Sequence, residues 1–238
     1  MMPEFSENAR RILMSRYLKK DDHGTVIETP DEMFRRVASH VAGAEKVFGG
    51  SGDVDAMASE FHRVLSALEF LPNSPTLMNA GRDLGQLAAC FVLPVEDSLE
   101  SIFDAVKNTA IIHQSGGGTG FSFSHLRPKN DMVLSTRGVA SGPVSFMEVF
   151  NKATDIIKQG GTRRGANMGV LRVDHPDIEE FISVKRDLHR LGSFNLSVGV
   201  TDLFMAAVRE DRVFDLVSPR SRTVVRSVSA RELFGLMA

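Results

Sequence analysis

The sequence predicts an α/β fold: helical over residues 1–70, then short strands alternating with helices over residues 71–238. Two observations carry this. Before Phe70 the apolar residues recur every three or four positions, the period of a helix with one buried face. After Phe70, compact apolar runs bounded by proline and glycine alternate with stretches of helical period, the pattern of βαβ units.

The elements follow in order. Helical spacing runs through Ala9, Ile12, Leu13, Arg16 and Tyr17, and again through Met33, Val37, Val41 and Ala44. Thr29 before Pro30 and Glu32 supplies a start signal for the second of these helices. Gly49 to Asp53 is a loop, and Val54 to Glu69 resumes the helical period. Ala88 to Leu93, ended by Pro94, reads as a buried strand. Asp97 and Ser98 place acceptors before a helix whose apolar face is Leu99, Ile102, Phe103, Val106 and Ala110. Phe121 to Phe123 is a second strand. Ser141-Gly142-Pro143 opens a helix with Phe146, Val149, Phe150 and Ile157 on its apolar side. Gly169 to Val173 is a strand, and Asp174 with Pro176 starts a helix through Phe181 and Val184. Leu196 to Val200 is a strand, followed by a helix from Leu203 to Val208 capped by Thr201. Val213 to Val217 and Thr223 to Ser227 form a hairpin across Ser-Pro-Arg-Ser-Arg. Ser229 and Glu232 have capping-box spacing. The stripe Leu233, Phe234, Leu236 and Met237 then needs a covering surface, either on its own domain or in a larger fold. No internal repeat is present.

Composition narrows the function classes. The chain has 238 residues, 42% apolar and 24% charged, as expected of a globular protein. A formal charge of -2 gives no global basic field, so nucleic acid is not an expected partner. No apolar run approaches the ~20 residues of a membrane helix. The start, Met-Met-Pro-Glu-Phe-Ser-Glu-Asn, lacks a basic segment followed by an apolar one. With a single cysteine, which excludes an internal disulfide framework, this leads us to expect a cytoplasmic protein. The seven histidines form no cluster at metal-ligand spacing, so no metal site is expected.

Three segments stand out chemically. Ser115 to Gly120 is glycine-rich, but it follows a helix and precedes a strand, the reverse of a dinucleotide fingerprint. It also lacks the Gly-Lys-Ser/Thr ending of a Walker loop. A tight helix-to-strand turn, or a place where another group approaches the backbone, remains. Lys158-Gln159-Gly160-Gly161-Thr162-Arg163-Arg164-Gly165 puts cations beside glycines, and reads either as a triphosphate-wrapping loop or as a solvated basic loop. Arg127, Lys129 and Arg137 form a weaker second cationic group. Cys90, taken alone, is either a core thiol or a reactive one, and no histidine lies beside it in sequence to activate it.

Together these segments resemble one family, in one order. Asn73-Ser74-Pro75-Thr76-Leu77-Met78-Asn79-Ala80-Gly81, Ala89-Cys90, Val95-Glu96-Asp97-Ser98-Leu99, the glycine run with Phe-Ser-Phe-Ser-His-Leu-Arg-Pro, and Lys158 to Gly169 resemble ribonucleotide reductase large subunits. The version they resemble most is the adenosylcobalamin-dependent one. The resemblance implies a helical domain followed by the first part of a ten-stranded α/β barrel, incomplete in this chain. It makes Cys90 one of the two cysteines that reduce the ribose. It assigns Ser74, Thr76, Ala89 and Gly118 to the ribonucleotide substrate. Asp97, Ser98 and Arg127 would match the site of a deoxynucleoside triphosphate effector. Lys158, Gln159 and Arg163 would lie on the loop that relays effector identity to the substrate.

The departure is as informative. The family's Asn-Pro-Cys-Gly-Glu type motif, with its radical cysteine, is absent, and so is the resolving cysteine. The expectation is therefore an N-terminal chain or fragment of a ribonucleoside-diphosphate reductase, inactive without a C-terminal portion that carries both. Adenosylcobalamin would be the cofactor of the completed enzyme. A natural split and a truncated gene predict the same sequence, and a homodimer is left open. Two other readings are a nucleotide-binding or regulatory module without catalysis, and a thiol enzyme using Cys90 alone.

Overall fold

A computed structural model of the chain describes residues 4–49, 52–133, 137–157 and 165–237. It divides into two compact units, Met1–Ala89 and Cys90–Ala238.

The first unit is helical. It contains α1 (Glu7–Ile12), a π-helical turn (Leu13–Tyr17), α2 (Pro30–Ala42), α3 (Ala44–Val47), α4 (Val54–Ser66) and α5 (Ser74–Asn79). An isolated bridge, Lys20 to Val26, lies between the π-helical turn and α2. Thr29 caps α2 through a full capping box with Glu32, the carboxylate returning to the Thr29 N–H at 2.7 Å. Met33, Phe34 and Val37 of α2, Leu65 of α4, and Leu77 and Ala80 at α5 make one core, with Leu87 packed against it. The sequence reading divides the chain at residue 70, where composition changes. The contacts divide it later, because Leu77 and Ala80 are buried with the helices and Leu87 packs against them.

Buried charge fixes α5 within this unit. Arg36 grips Glu28 with two hydrogen bonds, at 2.6 and 3.0 Å, and donates to the Ala80 and Leu77 carbonyls at the end of α5. Those carbonyls are the acceptors a helix terminus leaves unsatisfied. The Glu28 side chain is only 7% exposed. Burial alone would raise its carboxyl, but Arg36, the Lys19 N–H and Arg82 outweigh that and hold it below the ordinary value.

The second unit is built on a parallel sheet. It begins with β1 (Cys90–Val92), α6 (Leu99–Gln114), β2 (Gly118–Ser122), β3 (Met132–Val133), β4 (Gly138–Val139), α7 (Pro143–Ile156) and β5 (Asn167–Arg172). It continues through α8 (Ile178–Ser183), with a 3-10 turn (Val184–Arg186), β6 (Phe194–Gly199), α9 (Asp202–Arg209), β7 (Val213–Val217), β8 (Val224–Ser229) and α10 (Ala230–Met237). The main sheet has order β1-β2-β5-β6, with each neighbouring pair parallel. β3–β4 and β7–β8 are antiparallel hairpins. The helical domain followed by a parallel α/β sheet is the expected fold class. Phe121, Phe123, Phe150 and Phe194 form the aromatic centre of the core, with Phe121 and Phe150 ring centroids 4.7 Å apart.

Three local expectations are corrected. The strand at Cys90 is not buried: it is an edge strand, and Val92 is 86% exposed. Its apolar sequence reports strand propensity rather than a covered face. In α6 the buried face is Ile102, Ala105, Thr109 and His113, while Leu99 and Phe103 face outward. The helix is apolar on more than one side, so periodicity alone could not choose the side that packs. The glycine run is part strand, since β2 begins at Gly118. In helix α10, Ala230 and Leu233 are buried in the core of this unit, Leu236 and Met237 are partly buried, and Phe234 is exposed.

Candidate functional site

Cys90 opens β1, and its Cα partner across the parallel pair is Gly118, the first residue of β2. The thiol is free and exposed, so the core-thiol reading does not hold. The turn before Gly118 has its own structural demands. Gly116 has a positive φ of 86° after the end of α6, a conformation glycine adopts without strain. A Cβ on Gly117 would lie 2.7 Å from Ile112 Cγ2 and 2.8 Å from Phe91 Cε2, so this glycine serves the packing of β1 against α6.

Behind this pair of strands lies a buried polar chain that the sequence reading missed. Thr119 donates to Asn167 Oδ1 at 2.7 Å, so its oxygen accepts from His113 Nε2 at 3.0 Å. Asn167 Nδ2 donates to Thr154 and Ser193 at 2.9 and 3.1 Å, and Ser193 donates to Asn151 Oδ1 at 2.7 Å. Each hydroxyl has one proton, so the directions are fixed from end to end. They place the His113 proton on Nε2 and leave Nδ1 as an acceptor. His113 is fully buried. Burial lowers its affinity for a proton, opposed in part by the Ala166 backbone. Gly165 faces the ring closely: a Cβ there would sit 2.7 Å from Nδ1. The network ties α6 and α7 to β2, β5 and the start of β6, and so fixes the strand that carries Gly118. These residues are dispersed in sequence, and only the polar positions on otherwise apolar faces, such as Thr109 and His113 on α6, hint at it.

Asp97 and Arg127 form an ion pair. Arg127 Nε lies 3.0 and 2.8 Å from the two carboxylate oxygens, and the Arg127 N–H donates to Asp97 Oδ1 at 3.1 Å. The pair uses Nε, and the terminal amino groups have no partner among the described residues. Ser98 caps α6 by accepting from the Ser101 N–H at 3.1 Å. Lys129 is engaged elsewhere, with Glu180 and Asp177, and does not join Arg127 in one cationic group.

Within the helical unit, Ser74 and Thr76 occupy the first turn of α5. Ser74 Oγ is 2.9 Å from the Tyr17 hydroxyl. Thr76 is buried, bonded to the Asn73 cap at 2.9 Å and to the Leu87 carbonyl at 3.1 Å. Ala89 is half-buried at the end of that unit. Lys158, Gln159 and Arg163 lie outside the described residues. Among the described residues no cluster of histidine, cysteine and carboxylate could hold a metal ion, and no helix is long and apolar enough to cross a membrane.

Two family models match the chain. Residues 3–85 match "Ribonucleotide reductase, all-alpha domain" and residues 88–235 match "Ribonucleotide reductase, barrel domain". The vitamin B12-dependent ribonucleoside-diphosphate reductase of Thermoplasma acidophilum is 48% identical, over 95% of this chain and 37% of that protein. The protein of the same name from Mycobacterium tuberculosis is 50% identical, over 94% of this chain and 32% of its own length. The ribonucleoside-diphosphate reductase subunit alpha of Helicobacter pylori is 32% identical, over 91% and 27%. The chain thus spans about a third of the length of the B12-dependent relatives.

Proposed function

The chain belongs to the ribonucleotide reductase family, and on that premise we propose that it is the N-terminal portion of a vitamin B12-dependent ribonucleoside-diphosphate reductase. The observation that carries the proposal is the placement of Cys90: an exposed thiol at the start of an edge strand, in register with Gly118. A nucleotide ribose can approach a thiol so placed, and a glycine beside it adds no side chain to obstruct it. Cys90 and a resolving cysteine from the remaining part of the enzyme each give up one proton and one electron. The ribose 2′ hydroxyl leaves as water, the 2′ carbon gains hydrogen, and the two sulfurs become a disulfide.

Ser74, Thr76, Ala89 and Gly118 are read as positions that hold the phosphate and ribose of the substrate. Asp97, Ser98 and Arg127 are read as the effector site. Asp97 aligns the Arg127 side chain through Nε, which leaves its two amino groups for a phosphate. Lys158, Gln159 and Arg163 are read as the relay between effector and substrate. The radical and resolving cysteines are absent from this sequence, and are assigned to the rest of the enzyme, on the same or another chain.

Two cavities bounded by described residues measure about 530 and 570 Å³, and neither is assigned to the cobalamin of the named relatives. The chemistry such a cofactor supplies is radical formation, and no residue described is assigned to it.

Supplying the C-terminal portion as a second polypeptide should give deoxyribonucleotide formation that depends on adenosylcobalamin and falls to background in Cys90→Ser. Activity surviving that substitution would overturn the role of Cys90. In the same reconstituted enzyme, Arg163→Ala should change the order of substrate preference across effectors. Preference unchanged by the substitution would remove Arg163 from the relay.

A further inference from the structure

A small cavity of about 80 Å³, lined by polar groups together with Val217 and Pro219, lies where β2 and β5 end, and the reductase reading leaves it unused. Parallel α/β sheets bind ligands in the crevice outside the carboxyl ends of their strands. Cys90 and Gly118 sit at the opposite, amino ends of β1 and β2. Three stretches of chain wall the cavity: Ser124 and His125 after β2, Arg172 with Asp174 and His175 around the end of β5, and Arg222 beyond the β7 end of the hairpin.

A count of hydrogen-bonding groups shows what the cavity lacks. His175 is fully engaged, donating from Nε2 to the Leu126 carbonyl at 2.9 Å and accepting the Asp177 N–H at 3.0 Å. Arg172 and Asp174 close on each other at 2.9 Å. Ser124, only 5% exposed, accepts from the Ser122 hydroxyl at 3.1 Å and from the Arg172 N–H at 3.0 Å. Its own proton therefore has no acceptor among the described residues. His125 uses Nδ1 toward Glu96 at 3.2 Å and leaves Nε2 open.

Arg222 completes the set. The hairpin's other arginines are paired, Arg220 with Asp131 and Arg226 with Glu179, but Arg222 meets no carboxylate among the described residues. Its backbone is left-handed, φ 58°, and is held there by its N–H to the Ser218 carbonyl at 3.0 Å. A non-glycine residue stays in that region only where its surroundings fix it. Beside the Arg172–Asp174 pair, the walls thus carry a guanidinium without a carboxylate partner and a hydroxyl proton without an acceptor among the described residues.

We propose that this cavity binds a tetrahedral oxyanion, either free phosphate or the terminal phosphate of a nucleotide, held by Arg222 and the Ser124 hydroxyl with His125 at the rim. Its volume is far below the ~300 Å³ at which pockets for drug-sized ligands begin, so the phosphate enters and any attached nucleoside stays outside. A guanidinium fork matches two oxygens of such an anion, and the buried hydroxyl gives it a charge-assisted bond.

The test is binding to the chain, followed by 31P NMR with inorganic phosphate and by calorimetry with dATP, so its failure leaves the reductase reading standing. Phosphate should bind saturably at one site, weaken at least tenfold in Arg222→Ala, recover in part in Arg222→Lys, and keep its affinity in Asp97→Asn. Arg222 is exposed and outside the core, so the variant should fold, as circular dichroism will check. If Arg222→Ala weakens phosphate but not dATP, the occupant is the free anion. If it also weakens dATP in the Asp97→Asn background, the occupant is a nucleotide's terminal phosphate. If it weakens neither, the proposal is overturned.

Discussion

The two units hold their candidate nucleotide-facing residues by different chemistry. In the helical unit, α5 with Ser74 and Thr76 is anchored by a buried ion pair, Glu28 with Arg36, whose guanidinium also closes the end of the helix. In the α/β unit, β2 with Gly118 is anchored by neutral groups only, the chain His113, Thr119, Asn167, Ser193 and Asn151. A buried ion pair tolerates little: losing one member strands a charge in a dry place. A neutral network spreads its dependence over several bonds, each worth about 1 kcal/mol net. The charged anchor is therefore the stronger single point of failure, and the neutral one keeps unpaired charge away from the strand beside Cys90.

Breaking the charged anchor should have the largest effect. Glu28→Gln removes the charge but keeps the shape, leaving Arg36 uncompensated, and should cost the helical unit about 3–5 kcal/mol. Hydrogen exchange in peptides from α2 and α5 would report it, and protection equal to the parent chain would show that the pair does not anchor α5. Asn167→Ala comes next. It leaves the Thr119 proton without its acceptor and Thr154 and Ser193 without their donor, and should cost the α/β unit about 2–3 kcal/mol. The loss should appear in β2 and β5 peptides, with α2 unaffected.

The smallest and most gradual effect is that of pH, and it separates the units without a mutation. His113 binds a proton less readily in the fold than its ordinary value of 6.5 implies. Below 6.5 the unfolded state takes up that proton first, so stability of the α/β unit declines as pH falls from 6.5 toward the lowered folded value. Glu28 is also held below its ordinary value, 4.5. Its contribution is fully present above 4.5 and is lost only as pH falls from there through the folded value. Exchange measured from pH 7 downward should show β2 weakening before α5. The reverse order would mean that other groups dominate.

Much of the fold was legible because it is written locally. The capping box at Thr29, the cap at Thr201 and the hairpin after Val213 each depend on residues a few positions apart. Cys90, Asp97 and Arg127 were legible as candidates through the order of motifs, and the ion pair between the last two fits that reading. The errors have a common cause. Cys90 to Val92 reads as a buried strand because its residues favour β structure, while burial depends on what covers the strand. The apolar face of α6 was misread because Leu99 and Phe103 are as apolar as Ile102. Nothing in a single helix says which side meets a core.

The sequence by itself determined the family, the order of helical and α/β segments, and the presence of a single cysteine. Those are properties of residue identity and short-range spacing, where caps, turns and periodicity act. Only the tertiary structure decided that Cys90 is exposed beside Gly118, that His113 joins a buried chain of hydrogen bonds through Nε2, and that Arg222 and Ser124 line one cavity. Burial and hydrogen-bond satisfaction are set by groups distant in sequence, such as Thr119 and Asn167, or Ser124 and Arg222. Folding must bring them together before their chemistry exists.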